Sequence, residues 1–289
     1  MKKVVRMLGL CALVALAFTS CKKNETNGNV TFKATISQPK SDSRTHIEAI
    51  DFTGGKALYW DANNQINMFN RTSGENQTFK ASVSADRQVA TFEGSGNFLA
   101  ALDTDSAYIA FYPNAQKDSE SDVVNMTIPK NQSFVWDTFD NDLYPMFGFN
   151  DASGNIVFHS HAGVLYLRFK LDQNVYGLDG EVALSKIIVE GAEGEVLSGT
   201  MAYDLDGGYT MTGSTEPNVV ELDCTGCSVV ANRLTEFYIV LPEGALQNRF
   251  DVTIMSANNT QLTFTGEAGI PIAAETIKIM PQVTILGDF

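Results

Sequence analysis

The residues with the greatest potential for metal binding or catalysis are two histidines that stand two positions apart. His159 and His161 flank Ser160, so in a strand both rings would project from one side and could supply two metal ligands. A third ligand would have to come from elsewhere in the chain. The favoured alternative is that both histidines lie at a strand edge or pack between domains. The sequence therefore indicates no complete metal site.

Two cysteines late in the chain are spaced as Cys-Thr-Gly-Cys, from Cys224 to Cys227. That spacing suggests redox chemistry when a helix follows it and lowers a thiol pKa. Here both flanks, 219–222 and 228–230, have the composition of strands. Because the chain has the features of an exported protein, we interpret the pair as a local disulfide across a loop. A metal site would need further ligands, and none stands nearby in the sequence.

Three carboxylates follow each other closely in the middle of the chain. Asp137, Asp140 and Asp142 could approach a calcium ion, but they lack the spaced ligands and the glycine of a calcium loop. We interpret them as a solvated acidic loop. The sequence contains no Gly-x-Ser-x-Gly, His-Glu-x-x-His or phosphate-loop pattern. The chain is therefore not expected to be an enzyme or to need a cofactor.

The first 20 residues have the pattern of an export signal. A basic start precedes an apolar stretch at 8–18, which is too short to span a bilayer as a mature helix. Small residues then lead to Cys21, as in a bacterial lipobox, and a polar tether occupies 21–28. We interpret Cys21 as the lipidated first residue of a lipoprotein anchored in a membrane. The alternative is an ordinary signal peptide with an incidental cysteine.

Composition limits the partners of the remaining chain. The formal net charge is −14, and loss of a basic leader would make the mature protein more acidic still. Such a surface repels phosphate backbones, so nucleic acid is not an expected partner. The length after removal of the leader suits one large domain or two ordinary ones.

An alternating apolar stretch at 30–36 and the polar run after it are the most informative segments of the chain. Val30, Phe32, Ala34 and Ile36 alternate with polar residues, which predicts a strand with one apolar face. A polar run at 37–45 follows it, and loops of this kind are preferred sites of proteolysis. A cut between Arg44 and Thr45 would detach the strand together with the N-terminal end. The rest of the fold would then contain an apolar groove with unpaired backbone groups.

Beyond this run, short stretches rich in β-branched and aromatic residues recur between turns of Gly, Asn, Asp and Pro. This pattern predicts strands about ten residues apart and an all-β fold. The most turn-like segment in the middle of the chain is 151–155. We place a domain boundary there, which gives an N-terminal β-sandwich at 29–155 and a C-terminal β-sandwich at 156–289.

Four features of these stretches follow one another along most of the mature chain. They are a tryptophan, turn and isoleucine strand at 58–69, an aromatic strand ending in Tyr-Pro at 107–113, two strands at 156–159 and 163–169, and a strand ending in Leu-Pro at 237–244. Taken in order, these segments resemble the fimbrillins, the lipoprotein subunits of type V pili and related fimbriae in Bacteroidales.

This resemblance implies two Greek-key, transthyretin-like sandwiches and proteolysis after an arginine, which Arg44 matches in order. It also implies polymerisation by donor-strand exchange, in which a C-terminal strand of one subunit fills the groove of the next. The apolar tail at 276–289 is the candidate donor. The expected partners are other pilus subunits and surface receptors on host or bacterial cells. The expected locations are the outer membrane and the extracellular fimbrium.

Two alternatives remain open on the sequence. The first is a monomeric surface lipoprotein that binds glycan or host protein, since the aromatic residues Phe134, Trp136 and Phe139 could stack on sugars. The same residues could instead pack at the domain junction. The second alternative is an anchor or tip subunit, which has the same fold but polymerises at one end only.

Overall fold

Strands form nearly all of the regular structure, as the alternating pattern predicts, so the all-β fold class is confirmed. The computed structural model describes residues 29–38, 40–42, 58–113, 115, 123–266 and 268–287. Within these ranges no helix is both long enough and apolar enough to cross a membrane.

The strands are β1 (Asn29–Ile36), β2 (Lys40–Asp42), β3 (Gln65–Asn70), β4 (Asn76–Lys80), β5 (Ser82–Val83), β6 (Val89–Ser95), β7 (Tyr108–Tyr112), β8 (Val124–Ile128), β9 (Asn131–Val135), β10 (Thr138–Phe139), β11 (Met146–Phe149), β12 (Ile156–Phe158), β13 (Ala162–Leu171), β14 (Glu181–Glu190), β15 (Gly199–Tyr203), β16 (Tyr209–Gly213), β17 (Val219–Asp223), β18 (Ser228–Val230), β19 (Thr235–Pro242), β20 (Phe250–Ser256), β21 (Gln261–Gly266), β22 (Thr276–Ile279) and β23 (Val283–Ile285). A single 3₁₀ turn (Asn141–Leu143) and a one-turn helix, α1 (Gln173–Tyr176), interrupt the described strands.

Two sheets enclose the first hydrophobic core. One has the strand order β12-β1-β6-β5 and the other β11-β7-β3-β4. Their inner faces contribute large aromatic side chains to one cluster, in which Phe32 of β1 meets Phe79 of β4, and Trp60 lies against Phe92 and Tyr112. Alternating burial along β6 is the signature of a strand with one face on a core.

A second core lies between two larger sheets. One follows the order β19-β13-β22-β2, with β23 also paired to β13, and the other follows β10-β9-β17-β14-β20-β21, with β18 paired to β14. The long strand β13 is buried along nearly its whole length, because sheet partners occupy both of its edges and both of its faces are covered. The apolar residues of this core include Phe169, Phe237 and Phe250.

Strands from the two halves of the chain pair with one another. β12, which follows the predicted boundary at 151–155, lies beside β1 in the first sheet. β8 forms a three-stranded sheet with β15 and β16, and β9 pairs in parallel with β17. The halves are thus connected by backbone pairing as well as by the covalent chain. The division into domains at 155 and the Greek-key connectivity remain predictions.

Candidate functional site

The first strand, β1, is an internal strand of its sheet. It pairs antiparallel with β6 from Asn29↔Ser95 to Thr35↔Val89. On its other edge it pairs in parallel with β12, from Ala34↔Ile156 to Ile36↔Phe158. Removal of β1 would therefore leave unpaired backbone groups on two neighbours rather than one.

The inner face of β1 fills the first core, as its alternation predicts. Phe32, Ala34 and Ile36 are buried, whereas Lys33 between them is exposed. The ring of Phe32 stacks on Phe92 of β6 with a centroid separation of 5.2 Å. Such aromatic pairs add to the free energy gained by apolar burial. The side chains of β1 are thus an integral part of the core.

A glycine on β6 makes room for the packing beside β1. Gly94 is the register partner of Val30, and a Cβ atom at Gly94 would lie 2.1 Å from Cε1 of Phe79. The absence of a side chain lets the Phe79 ring lie over the backbone of β6. Phe79 can then present its edge to Phe32 at a centroid separation of 5.2 Å. The space around β1 is therefore shaped by aromatic rings of the facing sheet.

The far end of β1 adjoins a small apolar cavity of about 30 Å³. Ile36 lines this cavity together with Trp60, Tyr112 and Tyr144. Trp60 also meets Phe158 of β12 edge to face at 5.3 Å, which places an aromatic wall next to the end of the strand. Burial raises the pKa of both Tyr112 and Tyr144 well above the usual value for a phenol.

The C-terminal tail lies in a sheet of its own chain. β22 and β23 run parallel to β13, in register with Val164–Tyr166 and Phe169–Leu171. The tail forms two short strands separated at Pro281, which cannot donate a ladder hydrogen bond. Ile277 and Ile285 are buried, and so is Lys278 between β13 and β2, because both edges of β22 are covered. Neighbouring side chains of β22 are therefore buried on both faces of the strand.

The two neighbouring histidines are held by different carboxylates. His159 Nδ1 lies 2.7 Å from Oε1 of Glu275, whereas His161 Nδ1 lies 3.2 Å from Oε2 of Glu243. The His161 ring is also stacked on Tyr209 at 4.2 Å. The described residues include no group of three or more ligating side chains placed to hold a metal. The histidines thus make structural contacts at a strand end, which was the favoured alternative.

The acidic loop has a local structural role. Asp140 caps the 3₁₀ turn by accepting a hydrogen bond from the Asp142 amide at 3.2 Å. Asp137 has φ of 61° in the tight turn that joins β9 and β10. These carboxylates therefore serve turns, since short polar side chains tolerate left-handed backbone and cap exposed amides.

The aromatic residues of the same hairpin separate into packed and exposed members. Phe134 packs against Phe237 at 5.4 Å, and Phe139 against Tyr144 at 5.5 Å. Trp136 is 50% exposed and lies against Phe134 and below the guanidinium of Arg233. Two of the three candidate sugar-stacking residues therefore contribute to packing, and Trp136 alone presents a ring to solvent.

The cysteine pair lies buried in the second core. Cys224 and Cys227 are free thiols in this structure, with the Cys227 amide donating to the Cys224 carbonyl at 2.8 Å. Burial raises the pKa of Cys224 and raises that of Cys227 to about 11. At Cys227 burial outweighs the opposing effect of the Arg233 charge, so neither thiol has the lowered pKa of a reactive cysteine. The disulfide remains a prediction about the exported protein.

The predicted lipidation residue, Cys21, and the two predicted processing residues, Arg44 and Thr45, lie outside the described residues. Sequence reasoning also missed Glu275. Its carboxylate is hydrogen-bonded to Ser37, directly after β1, and to His159, directly after β12. The partners of Glu275 stand more than a hundred positions away in sequence, so no local pattern could reveal them.

No protein-family model matches the chain. No curated protein matches it either. Solved structures do match over most of its length. A candidate cell adhesion protein from Bacteroides uniformis has a TM-score of 0.55 and 15% sequence identity, with 90% of this chain and 94% of that chain covered. A fimbrial protein from Bacteroides vulgatus has a TM-score of 0.36 and 9% identity, with coverages of 88% and 95%.

A candidate cell adhesion protein from Parabacteroides distasonis has a TM-score of 0.44 at 11% identity, with 90% of this chain and 89% of that chain covered. These solved relatives are adhesion and fimbrial proteins rather than enzymes. The chain therefore has the fold of the Bacteroides uniformis adhesion protein over nearly its whole length, in agreement with the fimbrillin resemblance of its sequence.

Proposed function

We propose that this protein is a structural subunit of a cell-surface fimbria that supports adhesion. In this proposal the chain is exported as a lipoprotein on Cys21 and cut between Arg44 and Thr45. It then polymerises when the tail at 276–289 of one subunit enters the groove that β1 has left in another. The other subunits of the fibre are its principal partners.

The observation that carries the proposal is the position of β1 between β6 and β12. Loss of this strand would expose a slot lined by Phe92, Phe79 and Phe158 and would leave two ladders of backbone groups unpaired. Burial of a large apolar side chain contributes about 1.5–3 kcal/mol, so an empty slot is costly. A replacement strand from another subunit would remove that cost.

The tail has the pattern required of a replacement. Ile277, Ile279, Val283 and Ile285 fall at alternate positions, as do the inward residues of β1. Insertion of one subunit's tail into the next subunit is a heterologous contact, and contacts of this kind that do not close generate open filaments. The proposal therefore yields a linear fibre and uses main-chain pairing for affinity, as in other cases of strand addition.

The central test combines limited proteolysis with deletion of the tail. Trypsin should cut the purified protein first near Arg44, and multimers that survive on a gel without boiling should follow. Arg44→Ala should block both events. Removal of 276–289 should abolish the multimers and leave the cut intact. If the tail-deleted protein polymerises as well as the parent, donor-strand exchange by the tail is wrong.

The lipid anchor has a separate test. Cys21→Ala should stop the incorporation of labelled palmitate and release the protein from the membrane fraction, because acyl chains supply the anchoring free energy. Cys11→Ala is a matched control within the leader. Labelling that persists in Cys21→Ala would refute the lipobox interpretation.

A monomeric glycan-binding lipoprotein is the second candidate, and the exposed ring of Trp136 favours it. Under this candidate, Trp136→Ala should abolish binding to a glycan array, while Val175→Ala, at another exposed apolar position, should preserve it. A tip or anchor subunit would instead add to multimers without extending them.

A further inference from the structure

The end of the first strand is hydrogen-bonded to the beginning of the tail. Ser37, directly after β1, donates from Oγ to Oε2 of Glu275 at 2.8 Å. Glu275 immediately precedes β22. The contact joins residues 238 positions apart, and it connects the strand expected to leave with the strand expected to donate.

A second link lies one step further along the chain. β2 runs parallel to β22, with register pairs Lys40↔Thr276, Ser41↔Ile277 and Asp42↔Lys278. β22 is consequently an inner strand, with β13 on one edge and β2 on the other. An inner strand exposes fewer backbone groups than an edge strand and opens less readily.

Glu275 itself is firmly placed without the help of Ser37. Its Oε1 lies 2.7 Å from Nδ1 of His159 and accepts from the Ser160 amide at 3.2 Å. Its own amide donates to the Ala162 carbonyl at 2.9 Å, and its φ of 52° turns the chain into β22. Ser37 therefore bonds to a preorganised carboxylate, which reduces the entropy lost on forming the bond.

We propose that Ser37 and β2 (Lys40–Asp42), which together we term the clasp, hold the tail on its own subunit until processing. This inference rests on the proposed strand exchange. Asp42 and Arg44 are separated by a single residue, so a cut after Arg44 leaves the clasp and β1 on the same fragment. Departure of that fragment empties the groove and uncovers one edge of β22 in a single event. An uncut subunit can then neither accept a strand nor donate one.

After the cut, the strands of the tail are paired with β13, and the Tyr176 hydroxyl of α1 donates a further hydrogen bond to the Gly287 carbonyl. The registers of the tail with β13 are two short runs interrupted at Pro281. Loss of the clasp therefore exposes β22 along one side and leaves its pairing with β13 as the remaining backbone restraint. The clasp makes the order of events, processing before donation, a property of the subunit itself.

The experiment uses full mature chains. Cut subunits are allowed to polymerise in the presence of a fluorescent, uncut Arg44→Ala chain. The groove of the uncut chain is filled, so it can join a multimer only as a donor, at a receiving end. We expect little label in the multimers. Ser37→Ala combined with Lys40→Gly, Ser41→Gly and Asp42→Gly should increase the incorporated label about tenfold. That is the effect of losing roughly one net backbone hydrogen bond.

A matched control replaces the other histidine-bound carboxylate. Glu243→Gln in the Arg44→Ala background removes a similar contact, with His161, that touches neither β1 nor the tail. It should leave incorporation at the low level of Arg44→Ala alone. Hydrogen exchange of the tail amides in the uncut chains is a second measurement, and it should accelerate about tenfold in the clasp variant only.

Three outcomes are decisive. Efficient incorporation of the Arg44→Ala chain that has the native clasp would contradict the clasp proposal but not strand exchange. Equal incorporation and equal tail exchange in the clasp and Glu243→Gln variants would also overturn the clasp. Failure of cut subunits to form multimers at all would instead contradict the proposed function. A gel of the unlabelled cut subunits detects this outcome independently of the label.

Discussion

The first strand and the tail have similar sequences but very different places in the fold. β1 is continuous, pairs along seven register positions with β6 and has a second partner in β12. The tail consists of two short strands that each share three register positions with β13. Both bury isoleucines, yet only β1 contributes an aromatic ring that stacks within the core.

The difference indicates how each strand can leave its position. β1 is integrated into the first core through Phe32, and a strand of this kind separates only with substantial loss of apolar burial. The tail pairs with β13 in two short runs of three register positions each, and short runs open at a lower free-energy cost than a long one. Under the proposed strand exchange, proteolysis releases β1, whereas release of the tail requires only that the strand covering its edge be removed.

The largest expected effect is the substitution Phe32→Ala in the uncut protein. Loss of a buried phenylalanine should lower the free energy of unfolding by about 3–5 kcal/mol, measured by urea denaturation. Lys33→Ala, on the exposed face of the same strand, should change it by no more than about 0.5 kcal/mol. The assembled, cut protein should be insensitive to Phe32→Ala, because β1 has gone. An equal loss of unfolding free energy in the uncut protein and in the cut, assembled protein would contradict the proposed departure of β1.

The tail should give a smaller effect that persists after assembly. Ile285 is buried, so Ile285→Ala should cost about 2–3 kcal/mol in the uncut protein and should also weaken the multimers. Leu286 is 67% exposed and supplies the control, with Leu286→Ala expected to shift urea midpoints little. Multimers of Ile285→Ala that resist heating as well as the parent would rule out this part of the tail as the donor.

Alkaline pH should loosen the surroundings of both strands. Burial raises the pKa of Tyr112 and Tyr144 beside Ile36, and of Tyr166 beside Ile279 in the tail. The unfolded chain loses these protons near pH 10, before the folded chain does, so stability should fall as pH rises above about 10. For each phenol that stays protonated in the folded chain, the free energy of unfolding should fall by on the order of 1.4 kcal/mol per pH unit above that point.

Phenolate absorbance and urea midpoints, followed together from neutral to alkaline pH, measure this effect. The buried tyrosines should ionise only as the protein unfolds. Ionisation of all 9 tyrosines near pH 10 in a protein that remains folded would show that burial does not control these groups.

The smallest effect should come from the cysteines, which lie away from β1 and the tail. Replacement of Cys224 and Cys227 by serine should cost on the order of 1–2 kcal/mol, because a bridge over so short a loop removes little chain entropy. In denatured, unreduced protein from the exported fraction, neither thiol should react with an alkylating reagent. Reaction of both before reduction would show that the predicted disulfide does not form.

Local sequence was sufficient for the strand content and for the apolar character of β1 and the tail. The alternation around Phe32 determines which face of β1 is buried, since side chains alternate along any strand. Pro281 determines the break in the tail, since proline cannot donate a ladder hydrogen bond. The acidic composition, likewise, is a property of the sequence alone.

Tertiary structure decided which strands became neighbours. Nothing near 151–155 predicts that β12 joins the sheet of β1, or that Lys278 is buried between β13 and β2. The role of Glu275 depends on Ser37 and His159, which are brought to it from distant parts of the chain. A sequence pattern indicates which face of a strand is buried. Which strands pair depends on contacts between residues far apart in the sequence, and many strands have faces of similar composition. The choice of partner is therefore made only when the whole chain folds.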